Sequence, residues 1–166
     1  MIFVTVGTHE QPFNRLIEYM DEWAAEHDEA VVIQTGYSTY EPKHCEWSKL
    51  YPYSKMAEFV KTARIVITHG GPSSFIMPLQ TKKIPIVVPR RKEFNEHVNN
   101  HQVDFCKAVA ERQRNIIVID KIDELGQILL DYECRVKDIS ASLSSNNAQF
   151  NSKLEKLVEE MFSTKH

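Results

Sequence analysis

Short runs of Val- and Ile-rich residues alternate along this chain with longer stretches of helical periodicity. The runs lie at residues 2–6, 30–33, 65–68, 84–88 and 115–119. Continuous apolar runs of this length suit strands buried on both faces, as in a parallel sheet. Between them, Phe13, Leu16, Ile17, Met20 and Ala24 fall on one helical face, with Pro12 in the first turn. Met56, Phe59, Val60 and Ala63 repeat the spacing, as do Val98, Gln102, Phe105, Cys106 and Val109, with Gln102 the one polar member. Ile122, Leu125, Ile128 and Leu129 give a further face. Phe150, Leu154, Leu157, Val158 and Met161 predict a tail helix over about 146–162, after a linker rich in Ser and Asn. Residues 36–52 read as the one long loop. Strands alternating with helices predict an α/β fold with a doubly wound parallel sheet, a single Rossmann-like domain over 1–162.

The 166 residues suffice for one domain, which at this size buries roughly 70% of its unfolded surface. A net charge of −3 argues against a general nucleic-acid binder. Cys45, Cys106 and Cys134 have no CxxC spacing and read as reduced, buried thiols of a cytoplasmic protein. No apolar run approaches the roughly 18–20 residues of a transmembrane helix, and the N-terminus lacks the basic region of a signal peptide.

In doubly wound sheets, ligands bind at the carboxyl ends of the strands. Four of the seven histidines and four of the five glycines cluster in or beside the segments that follow the predicted strands. They are His9, His69, His97, His101, Gly7, Gly36, Gly70 and Gly71. In His69-Gly70-Gly71-Pro72-Ser73-Ser74, two glycines allow close backbone approach to an anion, and Pro72 opens a helix whose first turn carries two hydroxyls. The same residues also suit an ordinary tight turn with a capping serine. Pro78 predicts a short or kinked helix there. Gly7-Thr8-His9 is a second candidate phosphate loop or a plain turn. Arg90-Arg91-Lys92 is a solvated loop or a phosphate contact, and Gln102 is a ligand contact or a structural hydrogen bond. Glu96 is suited to a helix start.

GxxxxGK[ST] and GxGxxG fingerprints are absent. No Asp-x-Asp clamp or HExxH pair is present, and no metal site is expected.

Met1-Ile2-Phe3-Val4-Thr5-Val6-Gly7-Thr8-His9-Glu10-Gln11-Pro12-Phe13, the His69–Ser74 turn, Pro89-Arg90-Arg91 and Glu96-His97-Val98-Asn99-Asn100-His101-Gln102 resemble short bacterial capsule and exopolysaccharide glycosyltransferases. These are similar to the C-terminal half of family 28 GT-B enzymes. The resemblance implies a cytoplasmic, donor-binding subunit of a two-component, inverting, metal-independent transferase. It would move a hexose from a UDP-sugar to a polyprenyl-diphosphate-linked sugar, with no cofactor. A membrane-associated partner would bind the acceptor and hold the chain at the inner face of the plasma membrane; the length, with room for one Rossmann-like half, carries the same expectation. By position, the resemblance sets Gly7 and Thr8 near the diphosphate and Thr35 and Gly36 near the nucleotide. It sets Gly70, Gly71, Ser73 and Ser74, beside His69, at ribose and phosphate, and His101 and Gln102 at the donor sugar. Relatives hold the ribose with a Glu where this chain has Met77, which directs that role to Glu96. Arg90 or Arg91 would offset the leaving diphosphate. The base is His9 or Glu10, or a group of the partner. The alternative is a non-catalytic nucleotide-sugar-binding or regulatory module for such a partner.

Overall fold

A computed structural model describes residues 1–140. Within them, strands β1 (Ile2–Thr5), β2 (Val31–Gln34), β3 (Glu46–Ser48), β4 (Ile65–His69), β5 (Ile86–Val88) and β6 (Ile117–Val118) form one sheet. Every pairing is parallel, and the spatial order is β3-β2-β1-β4-β5-β6. The order reverses at β1, where the ends of β1 and β4 leave the crevice typical of a Rossmann-like sheet. Helices α1 (Asn14–Glu26), α2 (Tyr53–Thr62), α3 (Pro72–Gln80) and α4 (His101–Gln113) form the crossovers, with single 3₁₀ turns at Lys92–Phe94 and Ile122–Glu124.

The inner strands are buried along their whole length, which is why they read as unbroken apolar runs. Phe3, Val32 and Val66 of the sheet pack with Phe59, Val60 and Ala63 at α2. Val87 packs with Phe75 of α3 and Cys106 of α4 in a second cluster. Burial pushes the Cys106 thiol up to about 12, so it sits in the core as a neutral apolar group. Cys45 is half-buried and Cys134 exposed, against the expectation of three buried thiols.

Two further sequence expectations change. The stretch 36–52 contains β3, too short to show a period and recruited by edge pairing to β2. The helix expected to include Val98 starts at His101; Val98 precedes it and is exposed. Pro78 lies inside α3, which ends two residues later, in keeping with the short helix expected.

The chain divides into two compact units, Met1–Tyr132 and Glu133–His166. The first holds the whole sheet. In the second, residues 133–140 are described and are helical. The tail helix expected over 146–162 lies outside the described residues. Among the described residues, no helix is long and apolar enough to cross a membrane.

Candidate functional site

A cleft of about 500 Å³ opens at the carboxyl ends of β1 and β4. Its backbone wall begins at Gly7, which adopts φ +74°. The His69 ring, at the end of β4, fills the space where side chains at Gly7 and Gly71 would lie. Two glycines therefore let the β1 and β4 turns close on one imidazole. Burial, followed by the charge of Arg90, pushes the pKa of His69 down to about 4. The ring is neutral at neutral pH, and the Ser74 hydroxyl lies 3.1 Å from its Nδ1.

Ser73 and Ser74 of the first turn of α3 line the same cleft. Pro72 opens that helix and no side chain caps it, so its dipole is available to an anion. Met56, Val60 and Met77 form an apolar wall. Gln34 lies at the rear; its amide donates to Thr5 Oγ1 at 3.2 Å and its Oε1 accepts the Tyr51 N–H at 3.1 Å. Gln34 and this apolar wall were missed as site residues. The available signal was a glutamine ending an otherwise apolar strand.

Thr8 and His9 line the cleft opposite α3. His9 Nε2 is 2.9 Å from the Gln11 side-chain oxygen. That oxygen accepts, which places the ring proton on Nε2 and leaves Nδ1 as the basic nitrogen. His97 stacks on His9 with centroids 4.7 Å apart. Partial burial, and then the proximity of His9, lowers the pKa of His97.

Behind the Gly70–Gly71 turn is a neighbouring opening of about 540 Å³, reached by His97, His101, Gln102 and Phe105. His101 and Gln102 are the first two residues of α4. Gln102 Oε1 accepts the N–H groups of Gly70 and Arg90, each at 3.1 Å. One amide oxygen thus ties the end of β4 to the end of β5. The structural hydrogen bond open in the sequence is present, and the rest of the side chain still borders both openings.

The structure does not bring every sequence-predicted residue to the cleft. Arg90 is fully buried. Its guanidinium donates to Val6 O at 2.8 Å, Gln11 O at 2.7 Å and Glu96 O at 3.1 Å, with the Phe13 ring 4.9 Å away. It ties the β1 loop to the segment after β5 and borders neither opening. Arg91 pairs with Asp120 at 2.7 Å and Glu93 at 3.1 Å. Glu96 is 2% exposed; both its oxygens accept from Arg15 at 2.8 Å, and one also accepts the Arg91 N–H. Three of its roughly four acceptor sites are thus committed within the protein, and the carboxylate borders neither opening, so it is a brace and not a ribose ligand. Thr35 is buried, Gly36 lines a different cavity, and exposed Glu10 borders none of these openings. Among the described residues, no lysine or arginine lines either opening, and no cluster of side chains suits a metal ion.

A parallel Rossmann-like sheet with glycine turns around a crevice and an uncapped helix start is the architecture of a nucleotide-binding domain. The glycosyltransferase family 28 C-terminal domain matches residues 1–161, and the chain belongs to that family. Its fold is similar to that of the glycotransferase of kitacinnamycin, with a TM-score of 0.62 at 19% identity, covering 96% of this chain and 42% of that one. It is also similar to the glycosyltransferase SnogD from Streptomyces nogalater, with a TM-score of 0.57 at 17% identity, covering 94% of this chain and 42% of that one. The calicheamicin glycosyltransferase CalG4 gives a TM-score of 0.51 at 15% identity, covering 96% and 43%. The chain thus spans less than half the length of these GT-B structures. No curated protein sequence matches it.

Proposed function

We propose that this chain is the donor-binding, catalytic component of an inverting glycosyltransferase. It passes a hexose from a UDP-sugar to a polyprenyl-diphosphate-linked sugar in capsule or exopolysaccharide synthesis. A membrane-associated partner binds the acceptor and holds the chain at the cytoplasmic face of the membrane. The observation that carries this reading is the cleft in which the Gly7 turn and the start of α3 meet around the neutral His69 ring, with the Gly70–Gly71 turn packed on the same ring and lining the neighbouring opening.

The diphosphate lies against the Gly7 and Gly70–Gly71 turns and the N-terminus of α3, with the hydroxyls of Ser73 and Ser74 beside it. Backbone N–H groups and the helix dipole offset the charge on the departing UDP. Arg90 and Arg91 serve indirectly, by fixing the loops. The base lies against the apolar wall of Met56, Val60 and Met77. His101 and Gln102 border the opening that takes the donor sugar. His9 Nδ1 accepts the proton of the attacking hydroxyl as that oxygen displaces UDP and inverts the anomeric carbon.

Calorimetric titration with UDP and ADP tests the site, and transfer to membrane lipid acceptor tests the activity, with the partner co-expressed. UDP binding in preference to ADP is expected. His9→Ala is expected to lower kcat about 10²–10⁴-fold with UDP affinity retained. Absence of UDP binding overturns the reading. UDP binding without transfer from any donor favours the non-catalytic module.

A further inference from the structure

A separate cavity of about 350 Å³ opens on the β2–β3 side of the same sheet edge. It is built from the loop after β2 and from β3, a stretch to which the proposed donor site assigns nothing beyond its first turn. The loop is held from below by α1. Asn14 Oδ1 accepts the N–H groups of Thr39 and Tyr40 at 3.0 and 3.2 Å. Ser38 Oγ accepts the Phe13 N–H at 2.9 Å, and the Tyr40 hydroxyl donates to buried Asp21 at 2.9 Å.

With its backbone held in this way, the loop turns aromatic surface outward. Tyr37 is 57% exposed, and Tyr40 and Trp47 line the cavity with it. Glu41 and Lys49 also line it. Their charged groups and the Trp47 indole N–H have no hydrogen-bond or ion-pair partner among the described residues. Fixed aromatic faces with a few convergent, unengaged donors and acceptors suit a pyranose, whose C–H face lies on a ring while its hydroxyls meet polar groups. One carboxylate and one ammonium in the same lining, with no net charge between them, favour a neutral polyol over a phosphate. The volume fits a small ligand.

The cavity also adjoins the donor cleft. Gly36, at φ +56°, lines it, and any side chain there would strike the Gly7 carbonyl oxygen of the other cleft. The two cavities therefore share the Gly7–Gly36 contact as a wall.

We propose that this cavity is a saccharide subsite that holds a pyranose ring of the acceptor beside the donor cleft. The acceptor assignment rests on the transferase reading above; the saccharide chemistry rests on the cavity itself. The partner still binds the lipid-linked acceptor, and this chain adds contacts to one of its sugar rings.

The test uses the full chain with methyl β-D-glucopyranoside, methyl β-D-galactopyranoside and lactose as probes. Saturation-transfer NMR and tryptophan fluorescence are read with and without UDP. Trp23 is buried and stacked on His27, so a fluorescence change reports Trp47. At least one glycoside is expected to bind alongside UDP. Its affinity is expected to fall about fivefold or more in Trp47→Ala and in Tyr37→Ala, with UDP affinity unchanged. Tyr37 is exposed, so its removal leaves the fold intact and keeps the test valid if Trp47→Ala unfolds. UDP binding with no glycoside binding overturns the subsite alone. Glycoside binding that UDP displaces, or that Tyr37→Ala leaves unchanged, also overturns it. Glycoside binding without UDP binding overturns the transferase reading and, with it, the acceptor assignment.

Discussion

The two cavities lie at one edge of one sheet, yet they are built in opposite ways. At the ends of β1, β4 and β5, charged and amide side chains are turned inward as braces: Arg90 holds three carbonyls, Glu96 holds Arg15, and Gln102 holds two N–H groups. What faces the cleft is the Gly7 backbone, hydroxyls, imidazole, the amides of Gln34 and Gln102 and an apolar wall, with no charged side chain among the described residues except the titratable histidines. Beyond β2, the braces come from α1, through Asn14 and Asp21, and the loop keeps its aromatic and charged side chains for the surface. The first arrangement suits an anion met by oriented N–H groups; the second suits a neutral ring met by aromatic faces. Residue type alone is thus a poor guide to ligand contact at this edge. Its arginine nearest the cleft is part of the frame.

The strongest way to break this contrast is Arg90→Ala. Loss of a buried charge that satisfies three carbonyls is expected to cost about 3–5 kcal/mol in urea unfolding. A variant of normal stability that has lost only UDP affinity would return Arg90 to the ligand.

Next comes pH. His69 has its folded pKa pushed down to about 4, against an ordinary 6.5. The unfolded chain takes up the proton more readily, so the stability contribution is whole above about pH 6.5 and is lost as pH falls towards 4. The loss amounts to roughly 3 kcal/mol. Urea midpoints across that range should show the slope, and His69→Gln should flatten it.

The smallest expected effect lies on the other side. Burial raises the Asp21 carboxyl, but the N–H groups of Lys43 and His44 and the Tyr40 hydroxyl outweigh it and hold the pKa below its usual value. Asp21→Asn is expected to cost about 2 kcal/mol and to speed amide exchange around Lys43 and His44, with UDP binding unchanged. Coupled loss of UDP affinity would show that the two regions act as one.

Much of the fold was legible because it rests on local patterns. The inner strands are continuous apolar runs, and α1 and α2 show their buried faces in the spacing of Leu16, Met20, Phe59 and Val60. β3 was not legible. Three residues carry no period, and only the open edge of β2 makes Glu46-Trp47-Ser48 a strand. Within the site, Gly7 and the Gly70–Gly71 turn could be read directly, since glycine marks where backbone must come close. The fates of Arg90, Arg91 and Glu96 could not. Arg15 meets Glu96 across 81 positions and Arg90 meets Val6 across 84. No local spacing reports such pairs.

The sequence by itself therefore determined the alternation of strands and helices, the parallel sheet that follows from it, and the glycine turns that leave room at one edge. Those depend on side-chain periodicity and backbone freedom, which are properties of neighbouring residues. The tertiary structure decided which polar side chains face a ligand and which hold the loops, and it made a cavity from a stretch that read as plain loop. Those outcomes depend on which distant carbonyls, N–H groups and charges folding brings within hydrogen-bond reach.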